Sequence, residues 1–206
     1  MLYNSTLHLP KEQEVFKMVS IDPGTRFMGV AVYEVRFVDR HILDAKSECW
    51  HVDDMADLQY LSQEDYTYMT IKLTRIRKHF GELLLREQPA VVACERPFFN
   101  RFKPNAFAAI LRVLESIQSA IIDYNPNVAF SLLEPFVVKK RVGASLSSDK
   151  EKVREALQSK DEFKCLACYD ELAHMEKDAI DALAVGYAYI DESKELLLNK
   201  PIKGKK

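Results

Sequence analysis

The stretch Ser20-Ile21-Asp22-Pro23-Gly24-Thr25-Arg26-Phe27-Met28-Gly29-Val30 constrains this chain more than any other. It reads as an apolar strand ending in a carboxylate, a Pro-Gly turn, and a second apolar strand running back. A carboxylate at the end of a buried strand is costly to desolvate unless something compensates its charge. Three more acids, Glu95, Asp178 and Asp181, stand at the end of an apolar strand or near the start of an apolar helix. Acids drawn together from separate elements are most simply reconciled with a core by a divalent cation, which takes oxygen ligands. The expectation is a metal-dependent enzyme.

Length and charge narrow the frame. The 206 residues, 48% hydrophobic and 29% charged, suit one globular domain. The expected division is an N-terminal extension over 1–16, one folded domain over 17–193, and a basic tail over 194–206. Met1–Phe16 lacks the basic start and apolar core of an export signal, and no run reads as a bilayer span, so a cytoplasmic protein without a membrane partner is expected. Cys49, Cys94, Cys165 and Cys168 then read as free thiols. The single CxxC at Cys165–Cys168, even with His174, falls short of a zinc ligand set. A net charge of −2 does not advertise a nucleic-acid binder. Basic residues are nevertheless clustered: Arg96, Arg101, Lys103 and Arg112 follow Glu95, and Lys139, Lys140, Arg141, Lys150, Lys152 and Arg154 follow later. Each cluster is either a solvated face or a phosphate-facing one.

Periodicity supplies the element order. Strands are expected over Met18–Asp22, Phe27–Glu34 and Arg36–Ala45, forming an antiparallel meander. A helix from about Gln63 to Arg86 carries Tyr66, Met69, Leu73, Ile76, Phe80 and Leu83 at helical spacing. Ala90–Cys94 is a wholly apolar strand ending at Glu95, suited to the middle of a sheet. A helix over Asn105–Asp123, a strand over Val128–Leu133 and a short helix opened by Pro135 follow. Ser148-Asp149-Lys150-Glu151 has the capping-box pattern, which places a helix start at Ser148. The last helix, His174 to Ile190, is apolar nearly all round after Asp178 and is expected to be buried. Asp178 and Asp181, three apart, then share one helix face.

Ile21-Asp22-Pro23-Gly24 with Gly29, the strand ending in Glu95, and Asp178-Ala179-Ile180-Asp181-Ala182-Leu183-Ala184 together resemble the RuvC family of Holliday junction resolvases. The resemblance runs from about Met18 to Ile190 and implies an α/β, RNase H-like fold. That fold is a mixed five-stranded sheet, three strands antiparallel and then two parallel, flanked by helices. It implies that Asp22, Glu95, Asp178 and Asp181 are the catalytic, metal-holding acids for two Mg2+ ions, with Mn2+ able to substitute. It further implies that Phe98 wedges into a junction and that Lys139 and Lys150 approach the DNA near the cut. Branched DNA as substrate and a homodimer matched to the two-fold junction also follow from it. The residues 1–16, the segment Trp50–Ser62 and the loop Pro97–Lys103 depart from bacterial members and look like a virus- or phage-type branch, for which the expected cytoplasm is that of a host if the protein is phage-encoded.

Two lesser signals accompany the acids. His174, one helical turn before Asp178 if the last helix begins there, is a candidate to orient a ligand. Phe98 and Phe99, beside Arg96, Arg101 and Lys103, suit stacking on unpaired bases. Rival readings are an RNase H-like nuclease for flaps, other branched DNA or structured RNA, and a noncatalytic junction-binding module. An actin-like ATPase also has a strand-Asp-x-Gly-Thr turn, but needs two lobes and a longer chain.

Overall fold

The computed structural model describes residues 14–55, 66–99, 101–102, 104–145 and 150–198. Its spine is one five-stranded sheet of order β3-β2-β1-β4-β5, built from β1 (Val15–Asp22), β2 (Phe27–Arg36), β3 (Ile42–His51), β4 (Val91–Glu95) and β5 (Ala129–Leu133). The first three strands pair antiparallel, while β1–β4 and β4–β5 are parallel. This is the mixed sheet expected above. β1 and β4 are central and covered on both faces, which is why their sequences read as nearly unbroken apolar runs.

Strand alternation divides the interior into two cores. Val19, Ile21, Met28, Val30, Val92 and Cys94 face α1 (Tyr68–Glu87) and α2 (Pro104–Tyr124). Met18, Ala31, Tyr33, Val91 and Ala93 face the other side, covered chiefly by α6 (Lys177–Leu198), with α3 (Pro135–Val142) and α4 (Lys150–Gln158) packed around it. Leu157, Phe163 and Leu172 complete that second core, Phe163 from the short α5 (Asp161–Lys164) and Leu172 from a 3-10 turn over Ala167–Ala173.

Several boundaries differ from those read in the sequence. The third strand is Ile42–His51, not Arg36–Ala45: β2 runs on to Arg36, and the chain turns through Arg40, whose φ is 57°. Arg40 holds that turn by stacking on Phe37, 4.4 Å from the ring centroid, and donating to the Phe37 carbonyl. Trp50, expected to begin an inserted segment, is therefore a strand residue. α1 starts at Tyr68, where Thr67 accepts a hydrogen bond from the Thr70 N–H at 3.2 Å. Tyr66 stands outside it and is exposed, and the buried face is Ile71, Ile76, Phe80, Leu83 and Leu84. The start at Gln63 and the capping box at Ser148 lie outside the described residues. Among the four cysteines, all are free thiols, as expected.

α2 is long and apolar enough, by length and composition, to cross a membrane, with 28% of that window buried, although Arg112 and Glu115 interrupt its apolar run. Its second half packs Val113, Leu114, Ile117, Ala120 and Ile121 into the core, the behaviour of a core helix in a globular fold. Its first half leaves Leu111 exposed and Phe107 and Ile110 half-buried.

Candidate active site

β1 and β4 are parallel, so their C-terminal ends lie at the same edge of the sheet. Asp22 comes two residues after Ser20, and Glu95 two after Ala93, so alternation places both on the α6 face. β2 begins at that edge, where Gly29 pairs with Asp22. A Cβ at Gly29 would stand 1.8 Å from the Asp178 carbonyl oxygen and 3.1 Å from the Ala182 Cβ. The bare glycine is what lets the first turn of α6 sit directly on β2 beside Asp22. Deeper along the same helix, Gly186 leaves room for the Tyr33 ring and the Ser20 hydroxyl, which a Cβ would meet at 2.1 and 2.6 Å.

Three hydroxyls, one from each antiparallel strand, fasten this helix. Ser47 of β3 donates to the Ala179 carbonyl at 2.7 Å, Ser20 of β1 to Ala182 at 2.8 Å, and Tyr33 of β2 to Leu183 at 2.5 Å. Each carbonyl has a second lone pair beyond its helical bond, so the helix loses nothing by accepting. The fastened segment, 179–183, follows directly on Asp178 and contains Asp181. The Tyr33 phenol is fully buried and its pKa stands well above its ordinary value, through desolvation first and neighbouring acidic groups second, so it remains a donor. Sequence reasoning missed this set. Its one legible signal was a serine inside the apolar run of β1.

The outcome is a group of half-buried carboxylates, Asp22, Asp178 and Asp181, with one oxygen of each within 4.8 Å of the others. Oxygens sharing one Mg2+ stand at most about 4.2 Å apart, twice the metal–oxygen distance of roughly 2.1 Å, so small side-chain shifts close this group on an ion. An all-oxygen, all-anionic donor set fits a hard divalent cation. Glu95 is on the same face and edge but outside the group of three. Its proximity registers at Cys94 between the strands, whose thiol is pushed well up by burial first and then by the Asp22 and Glu95 charges.

The remaining expected residues are scattered in role. His174 is not in the last helix: it caps the 3-10 turn and is exposed, because α6 starts only at Lys177. The helical-turn relation to Asp178 therefore does not exist. Phe98 is 75% exposed and Phe102 78%, with the Arg101 guanidinium 4.7 Å from the Phe102 ring centroid. Phe99 instead packs edge-on against Phe107 at 5.3 Å. Arg96 is paired with Glu134 at 2.7 Å. Lys139 is half-buried in the last turn of α3. Lys103 and the Lys150 side chain lie outside the described residues.

Two members of the later basic cluster are structural rather than phosphate-facing. Arg154 is buried and donates to the Leu172 and Met175 carbonyls, the latter at 3.0 Å, while Arg141 pairs with Asp191 and Glu195 of α6. These contacts tie α4 and α3 to the chain around the carboxylate helix.

No family model and no curated protein matches the sequence. Solved structures do. RuvC of Thermus thermophilus, in complex with a Holliday junction substrate, superimposes with a TM-score of 0.60 at 18% identity, over 87% of this chain and 96% of that one. The yeast mitochondrial Holliday junction resolvase Ydc2 gives 0.62 at 12% identity, over 94% and 85%. The fowlpox virus Holliday junction resolvase gives 0.53 at 12%, over 86% and 99%. A mixed five-stranded sheet of this order, flanked by helices, is an α/β fold of the RNase H-like kind. Within that class, the fold of this protein is RuvC-like.

Proposed function

We propose that this protein is a Mg2+-dependent endodeoxyribonuclease that resolves four-way DNA junctions by paired, symmetric nicks. The observation that carries the reading is the convergence of Asp22, Asp178 and Asp181 within 4.8 Å at the edge of a RuvC-like sheet. These three, with Glu95, are the residues that would hold two Mg2+ ions, or Mn2+ in their place; such ions supply an activated water and neutralise charge at the leaving oxygen of a phosphodiester.

The chain's own residues do the rest. Ser20, Ser47 and Tyr33 fix α6, so Asp178 and Asp181 need little reorganisation to act. Phe98, exposed on the loop after β4, suits stacking on bases opened at a branch point. Arg101, Lys103 and Lys139 would position phosphates, and Lys150 would neutralise the scissile one. Paired nicks call for two active sites related by a two-fold axis, and most closed oligomers are such dimers. The apolar first half of α2, with Leu111 exposed, suits the contact between copies.

The test is cleavage of a labelled synthetic four-way junction in Mg2+, beside a flap and a linear duplex, by the parent and by Asp181→Asn. The expected result is paired nicks by the parent, a loss of at least about 100-fold in the variant, and junction binding retained by both. Loss of binding together with cleavage would overturn the assignment of Asp181. Preferential flap cutting would move the substrate to other branched DNA, and binding without nicking in either protein would leave a junction-binding module.

A further inference from the structure

A second metal-competent cluster adjoins the carboxylate group without sharing a residue with it, and its donors are of different chemistry. Alternation along β3 puts Ser47, Cys49 and His51 on the α6 face, as the Ser47 bond to the Ala179 carbonyl shows. Cys49 pairs with Gly29, and His51 with Phe27, across the β2–β3 ladder. The residue before α6, Glu176, comes down onto the same place. The Cys49 sulfur, a His51 ring nitrogen and a Glu176 carboxylate oxygen all lie within 4.8 Å of one another.

The imidazole is held from three sides. Its Nε2 is 3.1 and 3.2 Å from the two Glu176 carboxylate oxygens, its Nδ1 is 3.6 Å from Asp54 Oδ2, and its ring meets Phe27 edge-on at 5.0 Å. A carboxylate behind one ring nitrogen, with the other aimed at further donors, is how metal-binding histidines are oriented. An ordinary surface ion pair explains His51 and Glu176, but it does not call for the half-buried sulfur beside them.

We infer that Cys49, His51 and Glu176 form a site for a borderline-soft transition-metal ion of the zinc class, separate from the Mg2+ centre. Thiolate, imidazole and carboxylate are the donors such ions take, whereas Mg2+ takes oxygen alone. Three protein ligands leave a fourth tetrahedral position for water or another donor. Binding releases the Cys49 thiol proton to solvent. The bound ion ties the end of β3 to the start of α6, two residues before Asp178, so it braces the same helix turn that the three hydroxyls fasten.

The experiment is Co2+ titration of the full-length protein in saturating Mg2+, followed by the absorption of a thiolate-to-cobalt charge-transfer band. The band is expected at one Co2+ per chain, unchanged in Asp22→Asn and Cys165→Ser, bleached by added Zn2+, and abolished in Cys49→Ser. His51→Gln and Glu176→Gln, at exposed positions that leave the fold intact, weaken the binding. Asp54→Asn weakens it roughly 10–100-fold, the usual cost of losing an orienting partner. Absence of the band in the parent, its persistence in Cys49→Ser, or its loss in Asp22→Asn would overturn the inference. The readout is independent of DNA cleavage, so it stands or falls separately from the nuclease reading.

Discussion

Gly29→Ala is the substitution that most directly couples the fold to the site. The added methyl carbon would start 1.8 Å from the Asp178 carbonyl oxygen, whereas such contacts essentially never fall under 3.0 Å. Strand and helix must therefore part by about 1.2 Å at the turn that bears Asp178. The obstacle is backbone on backbone, which no rotamer change relieves, so overpacking costs about 1–3 kcal/mol. A displacement of about 1 Å in a reacting group costs on the order of 100-fold in rate, and nicking is expected to fall by that factor. Gly81→Ala is the matched control. It lies in α1 with nothing within 4 Å of a new Cβ, and replacing a helical glycine there is expected to stabilise by about 0.5–1 kcal/mol with full activity. Urea unfolding and junction cleavage read the two effects on the same preparations. If Gly29→Ala kept the parent's stability and nicking, close docking of α6 on β2 would not be what positions the acids.

Glu87, at the end of α1, is buried yet ionised. Burial pushes its pKa up, but hydrogen bonds from Lys17, Lys46 and Arg86, each 3.0 Å, outweigh that and hold it at about 2, against an ordinary 4.5. The folded pKa is lowered, so this stability, up to about 3 kcal/mol, is full above pH 4.5 and is lost as pH falls towards 2. Glu87→Gln is therefore expected to be less stable at pH 7 by urea unfolding, with the gap to the parent narrowing below pH 4.5; parallel curves would refute it. Phe98→Ala removes an exposed ring, so stability stays within about 0.5 kcal/mol while junction affinity in a gel-shift titration drops by about 1–3 kcal/mol; unchanged affinity and cleavage would remove Phe98 from the DNA surface. Leu111→Glu puts a charge on the exposed first half of α2 and is expected to turn the proposed dimer into a monomer by light scattering; a dimer in both parent and variant would place the contact elsewhere, and a monomeric parent would refute the dimer.

Much of this protein could be read locally. The Pro-Gly turn after Asp22, the apolar run ending at Glu95 and the Asp178-x-x-Asp181 spacing marked acids at element ends, while the mixed sheet of three antiparallel and two parallel strands was implied by the family resemblance. The errors fell where a nonlocal partner set the boundary. β3 extends to His51 because β2 is there to pair with it, not because Glu48, Cys49 and Trp50 advertise a strand. The last helix starts at Lys177 because the preceding segment is held in a 3-10 turn, with Arg154 bonded to the Leu172 and Met175 carbonyls. The stripe on α2 was legible as apolar, but which half found a partner was not.

By itself the sequence determined the periodicities, the turns and the identity of the charged residues, since these depend on neighbours a few positions away. Only the tertiary structure decided which acids meet, because their approach depends on contacts between residues more than a hundred apart. Gly29 opens the space for Asp178, Ser20 and Tyr33 hold Ala182 and Leu183, and Glu95 ends on the right face yet outside the group of three. A glycine or serine in a strand is by composition unremarkable; it comes to decide where the carboxylates gather only when a helix from the far end of the chain is laid across it.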